Sequence, residues 1–241
     1  IHNECGIFLK EEKRDFLKTI VEKRLKALNM GSYFNYYKYV SGNKNRRELS
    51  SLLDSVIINE TYFFRNIPQF EILREKVIPE LIERKRKSGD YNLIIWRAGC
   101  ATGEEPYSIA IEILEAIPDI FRWNVQIIAS DISWRCIEIA QDGAYPKDKL
   151  KDVPEEYLKK HFIFSPDSYQ VSDSVKRLVV FDFHNLKHEN GLAGVDVIFC
   201  RNVMIYFDAE EQKRIISRFQ RVLNTGGYLF LGHAESLHGL T

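Results

Sequence analysis

Cysteine is scarce in this sequence, and neither sign of charge is in excess. The 241 residues include four cysteines, and 34 lysines and arginines balance 34 aspartates and glutamates. The cysteines stand far apart, at Cys5, Cys100, Cys136 and Cys200. Their spacing excludes the close pairing of a zinc site, so we expect reduced thiols and no metal. The balanced charge gives no general attraction to nucleic acid or to an anionic membrane surface.

Long apolar runs are also lacking. No stretch approaches the roughly 18 apolar residues that a transmembrane helix needs, and no signal peptide is evident. We therefore expect a cytoplasmic protein that neither inserts into a membrane nor binds nucleic acid. With 241 residues, the chain can form one full α/β domain and a small additional domain.

A loop of small residues is the most informative feature that the sequence does contain. Leu93–Trp96 is an apolar run typical of a strand buried on both faces of a parallel sheet. Gly99 follows in the loop, and Glu104 and Glu105 open a predicted helix, where the helix dipole favours negative charge. Small residues let a backbone approach a ligand, but they are also common in ordinary strand-to-helix turns. This loop alone therefore leaves both interpretations open.

A second strand favours the ligand-binding interpretation. The strand Asn124–Asp131 ends in a carboxylate 32 residues after Gly99, as expected where an acidic side chain binds a ribose diol. Asp131 also fits an ordinary helix cap. Dinucleotides and S-adenosylmethionine both carry a ribose, but Glu104 and Glu105 place negative charge where a pyrophosphate needs bare backbone amides. The two units together favour a nucleoside-containing ligand, and the acidic first loop suits a cation such as a sulfonium.

The remaining pattern predicts an α/β domain behind a small helical one. We expect an N-terminal helical domain over residues 1–70, a linker helix over 71–90 and the α/β domain over 91–241. Alternating strands and helices in the last part predict a doubly wound, mostly parallel sheet. Residues 145–176 are too many for a plain loop and are expected to form a small excursion.

The helical region carries a local excess of basic residues. They are Lys18, Lys23, Arg24, Lys26, Arg46 and Arg47. A solvated helix face explains such a cluster, and so does a docking surface for an acidic helical partner. The sequence leaves both interpretations open.

Five segments of the chain match the motifs of one protein family in the correct order. They are NETYFFRN at Asn59–Asn66, AGCATGEEPYS at Ala98–Ser108, ASDIS at Ala129–Ser133, FDFHNL at Phe181–Leu186 and CRNVMIYFD at Cys200–Asp208, and GHAESL at Gly232–Leu237 extends the match. Together they resemble the chemotaxis receptor glutamate O-methyltransferase (CheR) family over nearly the whole chain. The resemblance implies a class I, Rossmann-like methyltransferase domain and a small all-helical N-terminal domain. It also implies S-adenosylmethionine as cofactor, S-adenosylhomocysteine as product and a glutamate of a chemoreceptor's cytoplasmic domain as methyl acceptor.

The resemblance also implies a set of cofactor-binding residues. The set is Asn59, Thr61, Arg65, Gly99, Glu104, Asp131, Asn185, Leu186, Arg201 and Asn202. By resemblance, Glu104 meets the amino group of the cofactor and Asp131 meets its ribose. The first three residues lie in a strip between the domains, the pair at 185 and 186 flanks the adenine, and the pair at 201 and 202 lies beside the methionine portion. Helix caps and a domain interface are the ordinary alternatives for several of them.

The implied reaction asks little of acids and bases. A glutamate carboxylate is already ionised near neutral pH, so alignment with the methyl group should dominate and can lower the barrier by up to about 7–11 kcal/mol. A donor that orients one carboxylate oxygen leaves the other free to attack. We predict Arg65 and Tyr206 as the catalytic residues with this task, from their places in the matching motifs.

The chain departs from the family pattern in two places. Members that tether to a receptor's C-terminal pentapeptide carry a glycine-containing loop in a β-subdomain, where this chain reads HFIFSPDSYQVSDSVKRL at His161–Leu178. This segment is shorter and lacks those glycines, so we predict weak or no tethering. A complete class I sheet also ends in an antiparallel hairpin, yet few residues follow Gly232. We expect that hairpin either to lie beyond the sequence given or to be disordered.

Two other functions stay open from sequence alone. A nicotinamide-dependent oxidoreductase also uses strand-loop-helix units, although the G-x-G-x-x-G pattern is missing here. A methyltransferase-like adaptor without turnover would use the basic helices to bind an acidic partner. Binding of S-adenosylhomocysteine against NAD separates the two enzymes, and methyl transfer excludes the adaptor. We expect a monomer.

Overall fold

The first part of the chain is helical. The computed structural model describes residues 1–9, 11–42, 46–57 and 59–239. Its first helices are α1 His2–Cys5, α2 Arg14–Ala27, α3 Tyr33–Ser41 and α4 Arg46–Val56, with a short 3-10 turn at Glu11–Lys13 before α2. Ile20 and Leu25 from α2 pack with Tyr36 from α3 and Leu52 from α4 in a small core. The spacing of these apolar side chains leaves Lys18, Lys23 and Lys26 of α2 exposed.

An ion pair also joins the helices of this small core. Arg24 donates two hydrogen bonds to the Glu48 carboxylate, at 2.8 and 2.5 Å, and the Tyr36 hydroxyl donates a third at 2.8 Å. Glu48 is only 7% exposed. Arg24 therefore contributes to holding α2 and α4 together, whereas Lys18, Lys23 and other basic residues of α2 are exposed.

One long helical segment leads into the second part of the chain. It consists of α5 Ile67–Ile72, a π-helical turn at Leu73–Val77 and α6 Ile78–Ser88. Pro79 at the start of α6 has no N–H to donate to the preceding turn. A wider π turn directly before it allows the helix to continue in the same direction.

The second part contains a parallel sheet and a small antiparallel one. The strands of the described residues are β1 Asn92–Ala98, β2 Asn124–Asp131, β3 Ala144–Pro146, β4 Phe162–Phe164, β5 Ser168–Val171, β6 Val179–Phe183, β7 Val195–Cys200 and β8 Leu223–Leu231. The large sheet has the order β6-β2-β1-β7-β8, and all its strands run parallel. The predicted doubly wound sheet is thus confirmed. Its strand order reverses between β1 and β7, where such folds form a ligand crevice at the carboxyl ends.

Helices cover both faces of the large sheet. The helices of this part of the chain are α6 and α7 Glu104–Ala116, α8 Trp134–Asp142, α9 Glu155–His161, α10 Asp173–Lys176 and α11 Ala209–Val222. Ile109 of α7 and Ile127 of β2 belong to the core on one face. Phe219 of α11 packs edge-on against Trp96 of β1 in the core on the other face. Because both faces are covered, the strands read as nearly continuous apolar runs.

The residues between β2 and β6 include an antiparallel sheet with the order β3-β5-β4. Phe162 of β4 pairs with Val171 of β5, and Ser165 N donates to the Ser168 carbonyl to close the turn between these strands. The Phe63 ring packs edge-on against Phe162. This sheet therefore lies against the segment that joins the helical part to the parallel sheet.

The N-terminal segment reaches across to the parallel sheet. Ile7 forms a β-bridge with Phe207, and Phe8 N donates to the Tyr206 carbonyl at 2.7 Å. The Asn185 amide donates to the Glu4 carbonyl at 2.8 Å. These contacts bring the beginning of the chain to the carboxyl edge of the sheet.

Among the helices that the structure describes, none combines the length and apolar character needed to cross a bilayer.

Candidate active site

A cavity of about 750 Å³ opens at the carboxyl ends of β1, β2 and β7. Its wall contains most of the predicted residues, namely Asn59, Thr61, Arg65, Gly99, Asp131, Asn185, Leu186, Arg201, Asn202 and Tyr206. These residues come from five separate segments, and the structure brings them around one space. Glu104 is the predicted residue that this wall does not include.

The loop after β1 passes very close to the turn after β7. Gly99 has a φ of +78°, and a Cβ on it would lie 2.5 Å from the Val203 side chain. The N–H groups of Gly99 and Cys100 both donate to the Ser130 carbonyl, at 2.8 and 2.9 Å. Glycine is required at position 99 for two reasons. A positive φ angle disfavours other residues, and the contact with Val203 leaves no room for a side chain.

Asp131 lies at the tip of β2 and is bound on both sides by backbone. Its carboxylate accepts hydrogen bonds from Ala101 N at 2.8 Å and from Ser133 N at 2.9 Å. Burial raises the pKa of Asp131, while these backbone donors act in the opposite direction. A carboxylate has about four acceptor positions. The acceptor positions that the backbone leaves free suit the diol of a ribose.

The two glutamates that open α7 lie in different surroundings. Glu104 is fully buried, accepts a hydrogen bond from the Thr102 hydroxyl at 2.7 Å and has Lys149 Nζ at 3.3 Å. Burial raises the pKa of Glu104. Glu105 instead borders the cavity. The role predicted for Glu104 stays a prediction. The sequence analysis named Glu105 only as negative charge at the start of this helix, and it is a further residue of the site.

Two arginines share the Glu105 carboxylate. Arg97 Nε lies 2.7 Å from one oxygen and Arg201 Nη1 lies 3.0 Å from the other. All three side chains are nearly inaccessible, with exposures of 5%, 2% and 1% for Arg97, Arg201 and Glu105. Arg97 also donates to the carbonyls of Ala98 and Phe199 at the ends of β1 and β7. Two guanidinium groups and one carboxylate leave one positive charge at the base of the cavity, which suits an anionic group of a ligand or acceptor.

Arg65 is held by a strained backbone. Its neighbours Phe64 and Asn66 have φ angles of +53° and +69°, which residues other than glycine rarely adopt. Phe64 N donates to the Ser108 hydroxyl at 2.9 Å, and Arg201 Nη2 donates to the Arg65 carbonyl at 2.7 Å. Such conformations cost about 1–3 kcal/mol each and persist only where the surroundings impose them. The surroundings therefore fix the backbone on both sides of Arg65 at the edge of the cavity.

An apolar part of the wall was also missed by the sequence analysis. Cys5 and Ile7 from the N-terminal segment, with Ile57 and Ile132, line the cavity near Leu186. No sequence motif identifies these apolar residues, because they are distant in the sequence and only the fold places them side by side. An apolar wall of this kind suits the faces of a purine ring.

His184 and Arg97 also line the cavity, and the sequence analysis did not name them as site residues. Burial lowers the pKa of His184, so its ring is neutral near pH 7, and its Nε2 atom has no hydrogen-bond partner among the described residues. Arg97 did have a signal in the sequence, because a charged residue at the end of an apolar strand requires a buried partner. That partner is Glu105.

Comparisons with known proteins identify the family. Residues 59–241 match the model "CheR methyltransferase, SAM binding domain", and residues 1–57 match "CheR methyltransferase, all-alpha domain". Chemotaxis protein methyltransferase 2 of Vibrio cholerae serotype O1 is 35% identical over 98% of this chain and 82% of its own length. The probable chemotaxis protein methyltransferase of Rhizobium etli is 36% identical over 99% of this chain and 90% of its own length.

A solved structure of the cyclase SpnF aligns with 73% of this chain and 50% of its own, at 14% identity and a TM-score of 0.41. The family assignment depends on the two models and on the relatives, which cover the helical part and the parallel sheet alike. They favour S-adenosylmethionine over the nicotinamide alternative. The chain therefore belongs to the CheR methyltransferase family, and it is a methyltransferase whose cofactor is S-adenosylmethionine.

Proposed function

We propose that this enzyme methylates glutamate side chains on the cytoplasmic helices of a methyl-accepting chemoreceptor, as part of chemotactic adaptation. The observation that carries the proposal is the cavity at the carboxyl edge, where Asp131 suits a ribose and the Arg97–Glu105–Arg201 group leaves a positive charge. The relatives are named chemotaxis protein methyltransferases. A positive charge beside the methyl donor fits an acidic acceptor.

The chemistry needs alignment and no general base. When bound, S-adenosylmethionine supplies a methyl carbon that is activated by a positively charged sulfur. The acceptor carboxylate is ionised near neutral pH, so its oxygen forms the new C–O bond while the C–S bond breaks and its electron pair stays on sulfur. The products are a glutamate methyl ester and S-adenosylhomocysteine, and no proton is transferred.

The chain's own groups divide this task. We assign the ribose to Asp131, the amino group to Glu104, the adenine to Asn185 and Leu186, and the methionine portion to the Arg201–Asn202 turn. Asn59 and Thr61 close the cavity from the inter-domain strip. Support for Glu104 comes from its burial and from its place beside Glu105, which lines the cavity.

Arg65 and Tyr206 are the residues we propose to orient the acceptor carboxylate. Both line the cavity, and Arg65 Nη1 is held by the Glu60 carbonyl at 2.8 Å. We expect Arg65→Ala to lower kcat about a hundredfold and Tyr206→Phe about tenfold, with smaller changes in S-adenosylhomocysteine affinity. Tyr62→Phe, an exposed neighbour, serves as the matched control. Full turnover in both variants would remove this assignment.

The decisive experiment is transfer of a labelled methyl group to a receptor cytoplasmic fragment. A methyl ester of glutamate is hydrolysed by mild alkali and releases volatile methanol, whereas an N-methyl group is stable. We expect alkali-labile label, and we expect it to disappear when the receptor's acceptor glutamates are replaced by alanine. Label that resists alkali, or no transfer from a preparation that binds S-adenosylhomocysteine, would overturn the proposal.

The basic face of α2 is the receptor-docking surface in this proposal. Lys18, Lys23 and Lys26 are exposed, and their charge complements an acidic helix. Arg24 is held by Glu48, and the side chain of Arg46 lies outside the described residues. Reversing the three lysines to glutamate should raise the KM for receptor at low salt and change kcat little. Reversal of Lys76, Lys87 and Lys213, exposed on other helices, is the matched control. An unchanged receptor KM would favour a solvated face.

We also propose that the enzyme works without pentapeptide tethering. The turn between β4 and β5 contains Ser165, Pro166 and Asp167 and has no glycine. A receptor C-terminal pentapeptide should show no binding in the micromolar range by calorimetry, and its removal from the receptor should leave the rate unchanged. Micromolar binding would contradict the proposal.

We place the enzyme in the cytoplasm as a monomer. The acceptor helices lie on that side of the membrane, and all four cysteines are free and buried, as is usual for proteins of reducing compartments. Sedimentation equilibrium tests the monomer, and cell fractionation tests the compartment.

A further inference from the structure

A single carboxylate accepts four backbone hydrogen bonds just behind the cavity. Glu235 follows β8, and its Oε2 atom accepts from Gly232 N at 2.6 Å and from Asn202 N at 2.9 Å. Its Oε1 atom accepts from Val203 N and Met204 N, both at 2.8 Å. Three consecutive N–H groups of the turn after β7 therefore point at one anion, which is the arrangement of a backbone anion nest.

The turn that Glu235 holds also forms part of the cavity wall. Asn202 and Val203 line the cavity, and the 3-10 helix that begins at Met204 carries Tyr206. Asn202 has a φ of +58°. This conformation costs free energy and persists only where the surroundings impose it. Without an acceptor, the three N–H groups of this turn would be left unpaired in a partly buried position.

The packing around Glu235 leaves this arrangement little freedom. A Cβ on Gly232 would lie 2.7 Å from Glu235 Oε2 and 2.8 Å from Asn202 N. On its other side the turn touches the loop after β1, since a Cβ on Gly99 would lie 2.5 Å from Val203. Movement of the turn would therefore alter both the loop that binds Asp131 and the placement of Tyr206.

We propose that Glu235 is a positioning residue for methyl transfer. Its carboxylate fixes the Asn202–Met204 turn and so orients Asn202 toward the cofactor and Tyr206 toward the acceptor. Glu235 itself is not part of the cavity wall formed by the described residues. The effect on the acceptor rests on the proposed function, whereas the effect on cofactor binding does not.

The first test is Glu235→Gln, which keeps the size of the side chain. An amide has one acceptor oxygen, and its NH₂ group faces N–H donors, so about half of the acceptor capacity is lost. We expect the Kd for S-adenosylhomocysteine to rise at least tenfold and kcat with receptor to fall at least tenfold. Ser236→Ala changes the adjacent residue outside the cavity wall and should leave both values near those of the wild type.

A chemical rescue separates positioning from simple loss of fold. Glu235→Ala opens the nest to solvent, and added formate supplies a carboxylate of the right charge. We expect formate, but not chloride at the same ionic strength, to restore at least part of the S-adenosylhomocysteine affinity of this variant. Wild type and Ser236→Ala should not respond to formate.

Two results would overturn the proposal. One is a Glu235→Gln variant with wild-type Kd and kcat. The other is a Glu235→Ala variant that binds S-adenosylhomocysteine weakly at every formate concentration, with a Tm lowered in parallel. Should Glu235→Ala fail to fold, the Gln variant alone decides. If wild type binds S-adenosylhomocysteine but methylates no receptor, the proposed acceptor is wrong while the binding test of Glu235 still stands.

Discussion

Backbone N–H groups fix the orientation of the Asp131 carboxylate. Its two carboxylate oxygens accept hydrogen bonds from the backbones of Ala101 and Ser133. The first of these donors belongs to the loop after β1 and the second to the start of α8. A ribose would therefore meet an acceptor whose orientation has already been fixed, which reduces the entropy lost on binding.

We expect Asp131→Asn to lower the affinity for S-adenosylhomocysteine by tenfold to a hundredfold. Hydrogen bonds to a charged group contribute about 1.5–3 kcal/mol, and the amide also presents an NH₂ group to a backbone donor. Isothermal titration measures the change. Asp182→Asn, an exposed carboxylate on the neighbouring strand β6, is the matched control and should bind normally. Equal affinities of the two variants would contradict the ribose assignment.

Substitutions of Glu104 and Glu105 should affect different properties, namely cofactor affinity for Glu104 and the free energy of unfolding for Glu105. Glu105→Gln leaves the buried guanidinium groups of Arg97 and Arg201 without their anion, and breaking a buried pair costs about 3–5 kcal/mol. We expect a lowered free energy of unfolding for this variant by urea denaturation. Glu104→Gln should instead weaken S-adenosylhomocysteine binding about tenfold with a smaller loss of stability. Unchanged affinity in Glu104→Gln would show that this carboxylate does not meet the amino group.

The loop between β1 and α7 depends on the close approach of two backbones. Gly99 and Gly89 both have positive φ angles, +78° and +72°, but only Gly99 has a neighbour within 4 Å of the added Cβ. The pair therefore distinguishes backbone strain from steric exclusion. Strain alone costs about 1–2 kcal/mol for a residue other than glycine.

We expect Gly89→Ala to lower the free energy of unfolding by about 1 kcal/mol and to leave cofactor affinity unchanged. Gly99→Ala should cost more stability, because Val203 or the loop must also move, and should weaken S-adenosylhomocysteine binding at least tenfold. Urea denaturation and calorimetry on the same preparations measure both quantities. A Gly99→Ala variant with normal affinity would indicate that the loop does not approach the cofactor.

The elements of the parallel sheet could be predicted from the sequence, and their irregular features could not. The strand Asn124–Asp131 has the predicted bounds, and a helix begins at Glu104 as expected. Both follow from local apolar patterns and from charge at a helix start. The π turn at Leu73–Val77 was not predicted. Its position depends on how the helix packs against α7 as well as on Pro79.

A buried acid links α7 to the long helical segment and should make the stability of the protein depend on pH. Glu112 lies 3.6 Å from Arg74 and is only 2% exposed. Burial raises its pKa from 4.5 to about 7. The folded protein therefore keeps a proton on Glu112 at pH values where the unfolded chain has released it. The contribution of Glu112 to the free energy of unfolding must then fall as pH rises from about 4.5 to about 7.

We expect Glu112→Gln to remove this dependence. The unfolding free energy of the variant relative to wild type should increase between pH 5 and pH 8 by about 2–3 kcal/mol, since one pH unit of pKa difference corresponds to about 1.4 kcal/mol. Urea denaturation at the two pH values measures it. Glu138→Gln, an exposed carboxyl on α8, is the control. A constant difference between Glu112→Gln and wild type would refute the assignment.

Contiguous segments of the sequence determined the family, the fold and the cofactor. Motifs such as TGEEPYS and CRNVMIYFD consist of residues that are adjacent in the sequence. They can therefore be read from local apolar periodicity and from the residue types that turns require. A strand that ends in Asp131 was therefore enough to suggest a ribose site.

Only the tertiary structure decided which distant groups share the cavity. The pairing of Arg97 and Arg201 with Glu105, the wall supplied by Cys5 and Ile7, and the hold of Glu235 on the turn after β7 all join separate parts of the chain. Local patterns state which face of an element is apolar, but not which loops meet when the strands are ordered. That choice is made by the packing of helices on both faces of the sheet, which brings the carboxyl ends of β1, β2 and β7 together.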